Sequence, residues 1–123
     1  MLDRIWAVVD AGEVVHRDGL VNQIEGGVLQ AANWTLKQAV HRDRTRVTTR
    51  SRDDYPILGF DELPRTLAVQ LIEHSGQPPL GAGECAAGPT AAAIANALQD
   101  AIGVRVRDLP LMAERVRAAV EWG

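Results

Sequence analysis

The chain has 123 residues, of which 46% are apolar and 24% charged. That profile fits one soluble globular domain with a single core and excludes a disordered or fibrous chain. A net charge of −3 leaves no electrostatic footprint for nucleic acid or an anionic membrane, and no stretch approaches the roughly 20 apolar residues needed to span a bilayer. The single cysteine excludes an internal disulfide and fits a reducing compartment. The opening stretch lacks the apolar run and small-residue cleavage pattern of a signal peptide, so a cytoplasmic location is expected.

In chain order, "RIWAVVDAG" predicts a strand ending in a Gly turn. "DGLVNQIEGGVLQAANWTL" predicts a helix, with Val21, Ile24, Val28 and Ala31 or Ala32 forming an apolar stripe and Asp18 as N-cap. Leu36–His41 and Arg46–Arg50 read as two strands joined by "RDRT". The run from His41 to Arg52 holds five arginines interleaved with Thr and Asp, the pattern of a solvated hairpin rather than a nucleic-acid patch. "DDYPILGFDELP" is a loop between Pro56 and Pro64, and "TLAVQLIEH" is a strand.

A loop rich in Pro, Gly and Ala follows, and after it Gly88 and Pro89 open a helix that stops at Gly103. "VRVRDLPL" is extended, and "MAERVRAAVEW" forms a last helix. Strands and helices do not alternate regularly. The expected class is therefore α+β, a small mixed sheet flanked by about three helices in one domain over residues 1–123.

Two features carry chemistry. Gly26 and Gly27 interrupt the first helix, each costing about 1 kcal/mol against Ala. They share a flat face with the amides of Gln23 and Gln30. Either the face packs closely on a neighbouring backbone or a polar ligand lies against it; the spacing does not choose. The second feature is Glu84, alone among Gly81, Gly83 and Cys85. Glycines let a ligand approach the main chain, and the loop feeds a helix N-terminus, where free N–H groups favour anions. Glu84 is either a solvated turn residue or a general base. No second acid, Ser-His pair or metal-ligand cluster accompanies it. The histidines His16, His41 and His74 are scattered and expected on the surface, and Cys85 is expected to be a small buried residue.

Four segments, "NQIEGGVLQAANWTL", "DDYPILGFDELP", "QPPLGAGE" with "GPTAAAIANAL", and "VRVRDLPL" with "AERV", stand in one order over nearly the whole chain. Together they resemble the C-terminal part of the molybdenum-cofactor-binding subunit of molybdenum hydroxylases, the xanthine dehydrogenase and aldehyde oxidase family, in particular the isoquinoline 1-oxidoreductase β-subunit. The resemblance implies a fragment of the molybdenum-cofactor-binding domain, with no metal ligand from the chain itself. It implies Glu84 as catalytic base beside the molybdenum. It also implies Gln23, with Gly26, Gly27 and Gly83, against a molybdopterin cytosine dinucleotide. The implied reaction is hydroxylation of N-heterocycles or aldehydes with water-derived oxygen.

The chain departs from the family pattern at three places. His16–Arg17 stands where Asn-Pro is usual, Cys85 follows the Glu, and Met112–Ala113 replaces a Thr-Pro cap at a cost of about 1 kcal/mol. Family subunits are several times longer. The implied partners are the N-terminal remainder of the large subunit and a small [2Fe-2S] subunit, with the chain inactive alone. The alternative is a free-standing, non-catalytic remnant that folds and covers an exposed apolar face as a homodimer.

Overall fold

The computed structural model describes residues 2–122. The elements are β1 (Arg4–Asp10), α1 (Arg17–Leu36), a 3-10 helical turn (Phe60–Glu62), β2 (Thr66–Ile72), α2 (Ala87–Ile102) and α3 (Ala113–Trp122). The chain forms two compact units, one built from residues up to Ala31 with Gly59–Thr90, the other from Ala32–Leu58 with the residues from Ala91 onward.

In the first unit β1 and β2 pair in parallel, from Arg4 opposite Thr66 to Asp10 opposite Ile72. Side chains alternate across a strand, so Ile5, Ala7, Val9, Leu67 and Val69 turn to one face, where they meet Ile24, Val28 and Leu20 of α1. Ile24 and Val28 are fully buried, and each contributes about 1.5–3 kcal/mol through lost apolar exposure. Ile24, Val28, Ala31 and Ala32 of the expected stripe are buried, and Val21 is half-buried. The opposite face of the sheet leaves Trp6, Val8 and Ile72 exposed.

The helix begins one residue before the expected cap. His16, not Asp18, caps α1: its Nδ1 accepts the Gly19 N–H at 2.8 Å. Asp18 lies inside the first turn, where a carboxylate still favours the positive end of the helix dipole. The Arg17 guanidinium pairs with Glu73 just beyond β2.

In the second unit α1 runs on to Leu36, so the strand expected at Leu36–His41 does not form. The N–H groups of Lys37 and Gln38 both turn back to the Asn33 carbonyl, at 2.9 and 3.2 Å, and close the helix there. The expected hairpin survives as a single antiparallel bridge between Arg42 and Val47. Asp43 organises its turn. Its Oδ1 accepts the Thr45 N–H, the Thr45 hydroxyl and the Arg46 N–H at 2.7, 2.9 and 2.9 Å. Those donors hold the Asp43 carboxyl below the usual carboxylate range.

The Asn33 side chain accepts the Leu58 N–H at 3.0 Å, and the buried Thr35 offers its carbonyl to the Leu111 N–H at 2.7 Å. α2 begins at Ala87, one residue before the expected start, so Pro89 falls in its first turn, where no N–H is needed. It ends before Gly103, whose φ of 75° suits the C′ position. Among the described residues, no helix is long and apolar enough to cross a membrane.

Candidate functional site

The Glu84 loop leaves β2 and is fastened to the first unit at its start, middle and end. At the start, its backbone runs beside the turn after β1. The Leu80 N–H donates to the Ala11 carbonyl at 2.9 Å, and the Glu13 N–H donates to the Gln77 carbonyl at 3.2 Å. The crossing is tight because Gly12 has no side chain. A Cβ there would lie 2.3 Å from the Pro78 carbonyl oxygen, and Gly12 has a φ of 70°. Asp10 braces the turn, its Oδ1 accepting the Gly12 N–H at 3.1 Å and its Oδ2 lying 3.1 Å from His74 Nδ1.

In the middle, Gln23 Nε2 donates to the Gly83 carbonyl at 3.1 Å. This contact joins the helix and the loop that the sequence singled out separately. At the end, Ala86 is buried against Ile24 and Val28. The absence of a side chain at Gly27 admits it, since a Cβ on Gly27 would lie 3.3 Å from the Ala86 Cβ.

The two helix glycines therefore differ. Gly27 meets a packing demand, whereas a Cβ on Gly26 would meet nothing within 4 Å. Gly81, Gly83 and Gly88 face open space in the same sense.

Between these fastenings Glu84 is exposed. Its own carbonyl accepts the Ala87 N–H at 3.1 Å, while no partner is found for its carboxylate among the described residues. Cys85 is exposed, not buried as expected. The loop turns outward between the half-buried Ala82 and the buried Ala86, and the Cys85 thiol donates back to the Ala82 carbonyl at 3.5 Å. All three histidines are exposed, yet His16 and His74 have fixed structural partners that sequence reasoning missed. A His three residues before a helical Gly is the one local hint of the His16 cap. Among the described residues, no group of three or more His, Cys, Asp or Glu is placed to hold a metal ion.

Residues 1–64 match the family model of the molybdopterin cofactor-binding domain. That stretch includes Gln23, Gly26 and Gly27 and stops short of the Glu84 loop. A nicotinate dehydrogenase subunit of Pseudomonas putida is 46% identical over 111 residues, which are 90% of this chain and 9% of that protein. The isoquinoline 1-oxidoreductase β-subunit of Brevundimonas diminuta is 30% identical over 110 residues, or 89% of this chain and 14% of that one. The crystal structure of quinoline 2-oxidoreductase from Pseudomonas putida 86 superposes with a TM-score of 0.86 at 25% identity, covering 98% of this chain and 16% of its own. The chain thus spans a small part of the relatives it matches.

Proposed function

This chain belongs to the molybdopterin cofactor-binding domain family, and on that premise we propose that it forms one wall of the active site of a molybdenum-dependent oxidoreductase. The reaction is hydroxylation of an electron-poor carbon, with water-derived oxygen, in an N-heterocycle or an aldehyde. The 46% identity to a nicotinate dehydrogenase subunit favours an N-heteroaromatic ring. One observation carries the reading: the hydrogen bond from Gln23 to Gly83 puts the amide of the glycine-interrupted helix beside the loop bearing Glu84.

The residues present fit a flat cofactor. Gly26, Gly81 and Gly83 front open space where a side chain would otherwise stand, and Gln23 offers a second N–H and a carbonyl oxygen beside them. Gln23, Gly26 and Gly83 would hold molybdopterin, in its cytosine dinucleotide form, while Gly27 lets Ala86 seat the end of the loop. When bound, the cofactor supplies a two-electron acceptor. Glu84 is the general base: its carboxylate stands exposed on the loop, ready to receive the proton released as oxygen is transferred to carbon. The remaining wall comes from the rest of the large subunit, and a small [2Fe-2S] subunit takes the electrons onward. The site works in the cytoplasm, and the chain by itself does not turn over.

The test is Glu84→Gln in the assembled enzyme. Turnover should fall by at least about 10²-fold, the scale of a lost general base, with molybdenum content unchanged. Activity close to wild type in that variant overturns the assignment.

A second reading is favoured by the exposed Trp6, Val8 and Ile72 on the sheet face turned away from α1. On that reading the chain is a non-catalytic remnant that self-associates through this face. Sedimentation tests the remnant reading: a monomer at high concentration removes it.

A further inference from the structure

The Glu84 loop combines two properties that ordinarily conflict. It is rich in glycine, with Gly81 and Gly83 both facing open space, so its backbone has wide conformational freedom. Yet it presents one carboxylate at a defined place, which needs a fixed main chain. The fastenings at Gln77–Leu80 and at Ala86 hold its ends and leave the residues between them free to rotate.

We propose that Gln23 is a positioning residue that fixes the direction of the Glu84 side chain through the backbone. A peptide unit is planar, so the Gly83 carbonyl and the Glu84 N–H form one rigid plate. Gln23 Nε2 holds that plate by its oxygen, at 3.1 Å. The next plate, from the Glu84 carbonyl to the Cys85 N–H, is held by the Ala87 N–H at 3.1 Å. With both plates held, φ and ψ at Glu84 are set, and with them the direction of its Cα–Cβ bond. One of the two ties comes from within the loop's own helix start. The other is the side chain of Gln23, sixty residues earlier.

The loop geometry follows from these contacts alone; its consequence for turnover rests on the reading of Glu84 as base. An amide at position 23 is required rather than a carboxylate of the same shape, because only the amide donates. Glu at this position would set two acceptors against each other.

Cys85 supplies the readout. Its thiol is exposed but bonded back to the Ala82 carbonyl, and that bond must break before the reactive thiolate forms, so its reaction with a disulfide reagent senses how firmly residues 82–85 are held. Thiol exchange by 5,5′-dithiobis(2-nitrobenzoate) should be measured in wild type, Gln23→Ala, Gln23→Glu and Gln30→Ala. Gln30 is an exposed amide further along the same helix and serves as the control.

Loss of one surface hydrogen bond corresponds to roughly a three- to tenfold change in an opening equilibrium. Gln23→Ala and Gln23→Glu should therefore react about three- to tenfold faster than wild type, with Gln30→Ala unchanged. Hydrogen exchange at the Ala87 amide, which is bonded to the Glu84 carbonyl, should accelerate by the same factor. Rates and exchange at wild-type values in both Gln23 variants overturn the proposal. So does an acceleration accompanied by loss of the far-ultraviolet helix signal, because that would place Gln23 in the fold as a whole. Turnover of Glu84→Gln reports the base and thiol kinetics report the loop, so either assignment can fail alone.

Discussion

Gly27 and Ala86 approach so closely that a methyl group built on Gly27 would stand 3.3 Å from the methyl group of Ala86. Gly26, the next residue back, faces open space. Adjacent glycines in one helix thus have opposite relations to the loop. Gly26→Ala should stabilise the isolated chain by about 0.5–1 kcal/mol, the helix-propensity gain of Ala over Gly. Gly27→Ala should gain less, because Ala86 must give way by a few tenths of an ångström. Urea unfolding measures the difference. In the assembled enzyme, Gly26→Ala should nonetheless lower molybdenum content, read by elemental analysis, if the new methyl group projects into the cofactor site proposed above.

Gly12 is the most demanding glycine. Its φ of 70° and the 2.3 Å approach to the Pro78 oxygen each oppose any side chain. Gly12→Ala should cost at least about 2 kcal/mol from backbone conformation and collision together. A fall in the urea midpoint at unchanged slope is the expected result. A midpoint equal to wild type would show that the loop base does not need this crossing.

His16 caps α1 with Nδ1, in the place where the family resemblance implies Asn. Asn is itself a strong N-cap. His16→Asn should therefore leave stability within about 0.5 kcal/mol of wild type, while His16→Ala should lose about 1 kcal/mol. Thermal melting of the three proteins side by side checks both expectations.

Asp43 provides a pH dependence whose sign is fixed by its contacts. Its folded-state carboxyl is held below the usual range, first by the Thr45 N–H. A depressed carboxylate favours the folded turn above its unfolded value, and that contribution disappears as pH falls through the lower folded value. Acidification from about pH 4 downward, the ordinary Asp range, should loosen the 43–46 turn. The Thr45 amide resonance should move toward its random-coil position in that window, and the response should be absent in Asp43→Asn.

The parts of this fold that depend on periodicity were legible in the sequence. Ile24, Val28, Ala31 and Ala32 recur at helical spacing and are the buried face of α1, and β-branched and aromatic residues before a Gly turn marked β1. Gly103 marked the end of α2 because a positive φ is a local demand that glycine meets. What was not legible depends on partners distant in the chain. Nothing in "RIWAVVDAG" names "TLAVQLIEH" as its parallel neighbour. The segment Leu36–His41 read as a strand, but with α1 continuing to Leu36 only the bridge from Arg42 to Val47 is left. Cys85 was expected to be a small buried residue because no His or Lys lies near it in sequence to activate it; the outward turn of the loop decided otherwise. At the site, Gln23 and Glu84 were each singled out locally or by family likeness, whereas the bond that ties their segments together runs to a main-chain oxygen, which carries no residue signature.

The pairing of β1 with β2 in a sheet of two strands has a practical consequence for anyone handling this chain by itself. Each strand spends one side of its backbone on the other and keeps a second side whose N–H and C=O groups point outward. Such a rim is a template for strand addition. Beside it lies an apolar surface that includes Trp6 and Val8. Purified chains at high concentration should therefore lengthen one another's sheets, with turbidity and thioflavin fluorescence rising together. A lysine placed at Val8, on the solvent side, is the gatekeeper that should keep the preparation clear.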